Sequence, residues 1–213
     1  PEPMITDVHR QLLAQIGTIC GDLSEERLLR FMNIFYEGVA PEMRTPRDVA
    51  RFTNSLAITW PAVAGEVDTA DFVALEVLRL LHPEIYRAVR QNKDRLCRLG
   101  GSERDDGGAR AKEYEDLLLR SSVGAQRERL RNTMMRMFPV LEAVWENRHY
   151  GGDFGRQWAS ERRVCSASHF DAYFRFAVGA EVLAAAELDA LIARAHDSAF
   201  IAAEMRSAAM LVR

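Results

Sequence analysis

The chain has 213 residues and a mass of 24.1 kDa, enough for one large domain or two small ones with real hydrophobic cores. Its 28 basic and 31 acidic side chains leave a formal charge of −3, which argues against a nucleic-acid wrapper and its strong basic excess. At 48% hydrophobic and 28% charged, with no run of 18 apolar positions, the composition excludes both a disordered tail and a membrane-spanning helix.

Helical periodicity dominates from the first residues onward. Ile5 to Cys20 sets Val8, Leu12, Ile16 and Ile19 on one stripe and stops at Gly21. Ser24 is positioned as an N-cap, with Glu25 and Glu26 in the favourable first turn of a helix carrying Leu28, Phe31, Ile34 and Phe35 to about Gly38. Thr45-Pro46-Arg47-Asp48 opens a third helix: threonine caps, proline takes the first helical position, and Asp48 stands where a capping box needs its acceptor. Val49, Phe52, Leu56 and Trp60 line its inner side until Pro61.

Asp68 caps the next helix. Eight of the ten residues from Phe72 to Leu81 are apolar, broken only by Glu76 and Arg79, which predicts a central helix (about 69–82) surrounded by neighbours. His82-Pro83 forces a bend, followed by a short helix from Pro83 to about Asn92. Four glycines among charged residues at 100–108 predict a mobile linker over 100–111, dividing an N-terminal helical half (1–99) from a C-terminal half (112–213) that shares its core. Beyond it, Lys112 to Arg120 reads as a short helix. Gln126 to Trp145 follows, with Leu130, Met134, Met137, Phe138, Leu141 and Val144 at helical spacing and a kink at Pro139. Gly151 to Gly155 reads as irregular, and Ser168 as the cap of a helix from His169 to Phe176. Alanine-rich helices over about 184–195 and 198–211 complete an all-α, irregular bundle of about eight to ten helices without significant sheet, with Leu188, Ile192, Ile201 and Met205 as contact points.

Most catalytic signatures are missing. The five histidines have no H-x-x-x-H, H-E-x-x-H or accompanying C-x-x-C spacing, and there is no G-x-S-x-G elbow. Gly151-Gly152-x-x-Gly155 lacks the preceding strand of a dinucleotide turn. Lys93 and Lys112 are the only lysines and neither follows glycine, so the chain has no Walker A loop. Every other basic residue is arginine, a bias that fits a GC-rich bacterial genome. Cys20, Cys97 and Cys165, odd in number and far apart, suit free thiols in a reducing compartment, and no charged-then-apolar leader opens the chain. Cys97, between Arg95 and Arg98, is a candidate for a lowered pKa, although a single thiol without a partner base is more often inert. The opening at Pro1 and a helical pattern running uncapped to Arg213 read as a piece of something longer.

Two arginine clusters stand out. Arg127, Arg129, Arg131 and Arg136 flank an apolar stripe, which suits either a nucleic-acid or anionic-membrane contact or an ordinary solvated face. Arg47, Arg51 and Asn54 share one face of the third helix at spacings of four and three, with Arg44 just before its cap. Arginines at a helix N-terminus oppose the macrodipole, an unfavourable arrangement unless an anion supplies negative charge. Exposed amides and guanidinium forks together would make a phosphate or carboxylate receptor. The competing reading pairs these arginines internally with Glu37, Glu42 or Asp68.

Thr45-Pro46-Arg47-Asp48-Val49-Ala50-Arg51-Phe52-Thr53-Asn54-Ser55-Leu56, followed by Gly65-Glu66-Val67-Asp68, resembles the TPRDVKRFxNAL…GEV(D/N) stretch of KAP-family P-loop NTPases. Ala70 to Tyr86 is similar to that family's DLLALEALRLFxPELY helix, and Asp171 to Ala177 to its YFRFAL segment. The resemblance covers residues 41–178 in order. It implies the helical lid and coupling region of a bacterial ATPase, often membrane-associated, with some members linked to phage exclusion. It further implies that ATP and Mg2+ are bound by a P-loop core of the same polypeptide, outside these residues. This chain alone is then expected to be inactive, with Arg44, Arg47, Arg51 and Asn54 as nucleotide-phosphate sensors and no catalytic or metal-binding residues of its own. Expected partners are that core and a second copy or another protein. Nucleic acid is not an expected partner, and membrane contact would come only through parts outside the chain, on the cytoplasmic side. The alternative is an all-α interaction module that never touches nucleotide, favoured by an exposed Leu130–Leu141 stripe.

Overall fold

The computed structural model describes residues 2–98, 108–148 and 150–175, with 192–194, 196, 197 and 200. Over these residues the protein is all-α, a multi-helix bundle without a strand. Helices α1 (Glu2–Cys20), α2 (Glu25–Ile34), α3 (Pro46–Thr59), α4 (Thr69–Leu81) and α5 (Pro83–Gln91) precede a one-turn α6 (Lys93–Leu96). After it come α7 (Ala109–Leu118), α8 (Gly124–Met137), α9 (Pro139–Glu146) and α10 (Asp153–Ser160), and a 3-10 turn at Phe170–Phe174. None of the described helices is long and apolar enough to cross a membrane.

Helix α4 is the axis of the bundle, as its composition predicts: every residue from Thr69 to Leu78 is buried. Helices α2, α3 and α5 pack against it, and α1 lies on α3. One apolar cluster runs from Leu12 and Ile16 of α1 through Phe52, Leu75 and Leu78 to Met134, Phe138 and Phe174. Helix starts follow the sequence closely where a cap or proline dictates them. Pro46, Pro83 and Pro139 each open a helix, where their missing N–H is no loss.

Several boundaries differ from the sequence reading, each for a local reason. Helix α2 does not stay α-helical to Gly38 but widens into a π turn at Phe35–Val39. There the backbone of Gly38 sits so close to α8 that an added Cβ would lie 2.5 Å from Thr133 Oγ1. Ser24 has the extended backbone of an N-cap, yet its side chain makes no capping bond. Pro139 ends α8 outright instead of kinking one long helix, because the residue before a proline is pushed out of the helical region and Phe138 is extended. The expected linker overlaps α7, which starts at Ala109, three residues before the predicted Lys112; residues 100–107 lie outside the described ones. The stretch read as irregular at Gly151–Gly155 already belongs to α10 from Asp153 onward. Ser168 bonds Ser166 (Oγ to Oγ, 2.9 Å) rather than capping, and the segment after it is a 3-10 turn. The alanine-rich helices predicted over 184–195 and 198–211 lie largely outside the described residues.

Candidate functional site: the arginine face of helix α3

Helix α3 separates its sides as the spacing requires. Val49, Phe52, Thr53 and Leu56 are buried, while Arg47, Ala50, Arg51, Asn54, Ala57 and Ile58 are exposed. Its first turn carries a complete capping box: Thr45 Oγ1 accepts from the Asp48 amide (3.2 Å), and Asp48 Oδ2 accepts from the Thr45 amide (3.0 Å). That box changes the anion-receptor picture. Pro46 has no N–H, and the amides of Thr45 and Asp48 are already used, which leaves the Arg47 amide at this end. An anion here must therefore be held chiefly by guanidiniums.

The guanidiniums are available for that. Arg44, Arg47, Arg51 and Asn54 are all exposed, and none of their side chains makes a hydrogen bond or ion pair with a described residue. The three carboxylates that the competing reading gave them are committed elsewhere. Glu37 takes both arms of Arg136 (2.8 and 3.0 Å). Glu42 bonds His82 Nε2 (3.1 Å) and lies 3.8 Å from Arg129. Asp68 is held by Arg30. Arg44 acts on Glu42 only through space: the hydrogen bond from His82 holds the Glu42 carboxyl below its usual range against the opposing effect of burial, and the charges of His82, Arg129 and Arg44 assist.

The frame beneath this face is polar and ion-paired. Ser55, one turn beyond Arg51, donates to Glu76 Oε1 (2.6 Å), and Thr59 approaches the same oxygen (3.4 Å). Arg79 Nε closes on Glu76 Oε2 (2.9 Å), so the two charges interrupting the apolar α4 are the clamp that fixes α3 on it.

A second polar knot went unread in the sequence. Arg30 of α2 forks between Asp68 and the fully buried Asp71 and also reaches the Arg136 carbonyl (3.3 Å). Arg163 donates to that same carbonyl (2.6 Å), so two guanidiniums cap the C-terminal end of α8, where the macrodipole is negative. Asp71 Oδ2 accepts from the Val164 amide (3.0 Å), and the Tyr173 hydroxyl accepts from the Asp68 amide while donating to the Arg162 carbonyl. Burial and the neighbouring Asp71 push the Asp68 carboxyl up, against the pull of Arg30. Burial opposes the charge on Arg30, but Asp71 and Asp68 more than offset it and raise its pKa. Charged residues at positions 30 and 71, each in the inward stripe of an amphipathic or apolar helix, were the available signal.

The other sequence candidates resolve differently. Arg127 binds Glu115 (2.7 Å) and the Leu119 carbonyl (2.8 Å), Arg129 lies near Glu42, Arg131 covers the Trp145 ring at 5.1 Å, and Arg136 pairs with Glu37. The α8 cluster is internal bracing rather than an open anionic-surface contact. The Leu130–Leu141 stripe is buried, which removes it as a docking face. Cys97 has no lowered pKa: burial, with a contribution from Cys165, pushes it up to about 12, and burial does the same for Cys20 and Cys165. Among the described residues no group of three His, Cys, Asp or Glu is placed to hold a metal ion.

Fold and site together define an all-α module that presents an exposed arginine pair with no ion-pair partner among the described residues. No protein-family profile, curated protein or solved structure matches the chain.

Proposed function

We propose that this chain is the helical lid and coupling module of a P-loop ATPase of the KAP kind, presenting Arg47 and Arg51 to the terminal phosphates of a nucleotide held by a core outside these residues. One observation carries the reading: among the described residues both exposed guanidiniums have no ion-pair partner, while Glu37, Glu42 and Asp68, the carboxylates the internal-pairing reading gave them, are engaged with other cations. Two forks 4 residues apart on a clamped helix suit a multiply charged phosphate chain, and developing charge on a transferred phosphoryl group is where an added arginine acts most strongly. When bound, ATP with Mg2+ would supply the phosphoryl chemistry. This chain's residues would contact phosphate oxygens and pass the nucleotide state through the Ser55–Glu76 clamp to α4. Such a module would work at the cytoplasmic side of a cell, with any membrane contact made by the rest of the polypeptide.

In the longer polypeptide that carries the core, Arg47→Ala and Arg51→Ala are each expected to lower ATP turnover by about tenfold or more, with the unfolding midpoint unchanged. Unchanged turnover in both variants would remove the sensing role.

The interaction-module alternative keeps one supporting observation, although not at the stripe the sequence suggested. Leu29 and Tyr36, on the outer side of α2 and its π turn, are 70% and 58% exposed.

A further inference from the structure

Helices α2 and α3 carry matching outer stripes. On α2 the stripe is Glu25, Leu29, the half-buried Met32 and, on the π turn, Tyr36; on α3 it is Arg47, Arg51, Asn54 and Ile58. Both follow the same spacing of four, three and four residues, about 16 Å of helix. Both run from charge at the N-terminal end to exposed apolar surface at the other, where Ile58 is 79% exposed. Their charges are opposite. Glu25 and Glu26 (with Asp22 just before the helix) form the acidic end of α2, and none of the three has an ion pair among the described residues. The basic end of α3 is equally unpaired. Ala50 and Ala57, both exposed, flank the α3 stripe with small side chains that let another helix approach closely.

We infer that the α2 stripe of one copy docks on the α3 stripe of another, parallel and with N-termini together. Glu25 and Glu26 then meet Arg47 and Arg51, Leu29 packs on the aliphatic stem of Arg51, and Tyr36 meets Ile58. Antiparallel pairing would set acid against isoleucine and arginine against tyrosine. The charge pattern therefore selects both the partner and its direction. Because the stripes lie on different helices, the contact is heterologous: each copy keeps one free stripe, and assembly proceeds to a ring or an open chain. A single helix-on-helix contact belongs to the small interface class, so association is weak and concentration-dependent. The inference goes beyond the proposed function and shares its arginines. A polyphosphate that takes Arg47 and Arg51 displaces the neighbouring copy, so anion binding and self-association are mutually exclusive.

The test is sedimentation equilibrium of the whole chain from about 10 µM to about 1 mM, a range that spans weak protein contacts. The mean mass is expected to rise with concentration and to fall as salt is added. Glu25→Arg with Glu26→Arg, and separately Arg47→Glu with Arg51→Glu, should each leave the chain monomeric. An equimolar mixture of these two double variants should associate, since each restores the charge its counterpart lacks. Tyr36→Asp, which would set a carboxylate against Ile58, should abolish association while leaving calorimetric binding of tripolyphosphate unchanged, and tripolyphosphate should dissociate the wild-type assembly. Monomer throughout the range, or association that neither charge reversal alters, overturns the inference while leaving the arginine–anion reading intact. Absence of tripolyphosphate binding to a chain that self-associates would instead count against the anion reading.

Discussion

Helices α3 and α8 each carry a run of arginines beside an apolar stripe, and in the folded protein the two runs have opposite fates. On α8, Arg127, Arg129, Arg131 and Arg136 find Glu115, Glu42, the Trp145 ring and Glu37. On α3, Arg47 and Arg51 find no described partner. The difference lies in what faces each helix. Helix α8 lies against the π turn after α2, which brings Glu37 and Glu42 across from it, whereas the outer side of α3 meets no described element. A cationic run becomes a brace or a receptor according to the carboxylates the fold delivers to it.

The strongest way to break this contrast is at the knot that delivers those partners. Asp71→Ala leaves Arg30 and Arg163 in a buried site without their shared carboxylate and deprives the Val164 amide of its acceptor. It should cost roughly 3–5 kcal/mol of unfolding free energy, read from the urea midpoint. A loss below about 1 kcal/mol would mean that the knot is not what orders α2, α4 and the 162–173 segment.

A smaller effect, with a pH signature, is expected at Glu42. Its carboxyl is depressed in the folded state, so the charged form is favoured by folding. That stabilisation is fully present above the unfolded value of 4.5 and disappears as pH falls through the lower folded value. Urea unfolding of Glu42→Gln should therefore show its largest deficit near pH 7, with the deficit narrowing below pH 4.5. A deficit that is constant from pH 7 to pH 3 would assign the contribution of Glu42 to packing alone.

The smallest effect belongs to α3. Arg47→Ala and Arg51→Ala should move stability by no more than about 0.5 kcal/mol in either direction, since neither side chain has an ion-pair partner among the described residues and Arg47, in the first turn, opposes the helix dipole. Measured beside Arg136→Ala, which breaks a two-armed pair with Glu37, they should be the milder substitutions. The reverse order would show that α3 is braced and α8 is not.

Much of the architecture can be read from local sequence. Asp68 caps α4, Thr45 and Asp48 form their capping box, and the apolar run from Phe72 to Leu81 lies at the centre because a helix with so few polar residues must be surrounded. Such features depend on residues a few positions apart, and their energetics are complete within one or two turns. Even the breaks at Pro61, Pro83 and Pro139 are local facts of backbone sterics.

The site was legible only in part. Sequence spacing is enough to put Arg47, Arg51 and Asn54 on one face, because helical geometry fixes which residues share a side. Whether that face stays open depends on pairings such as Arg136 with Glu37, 99 residues apart, and Arg30 with Asp71, 41 residues apart. No periodicity encodes those distances. The chain by itself determined helices, caps and inward faces, since these arise from backbone hydrogen bonds and the burial of nearby side chains. Tertiary structure alone decided which charges cancel, because cancellation requires two side chains from distant segments to meet within about 4 Å.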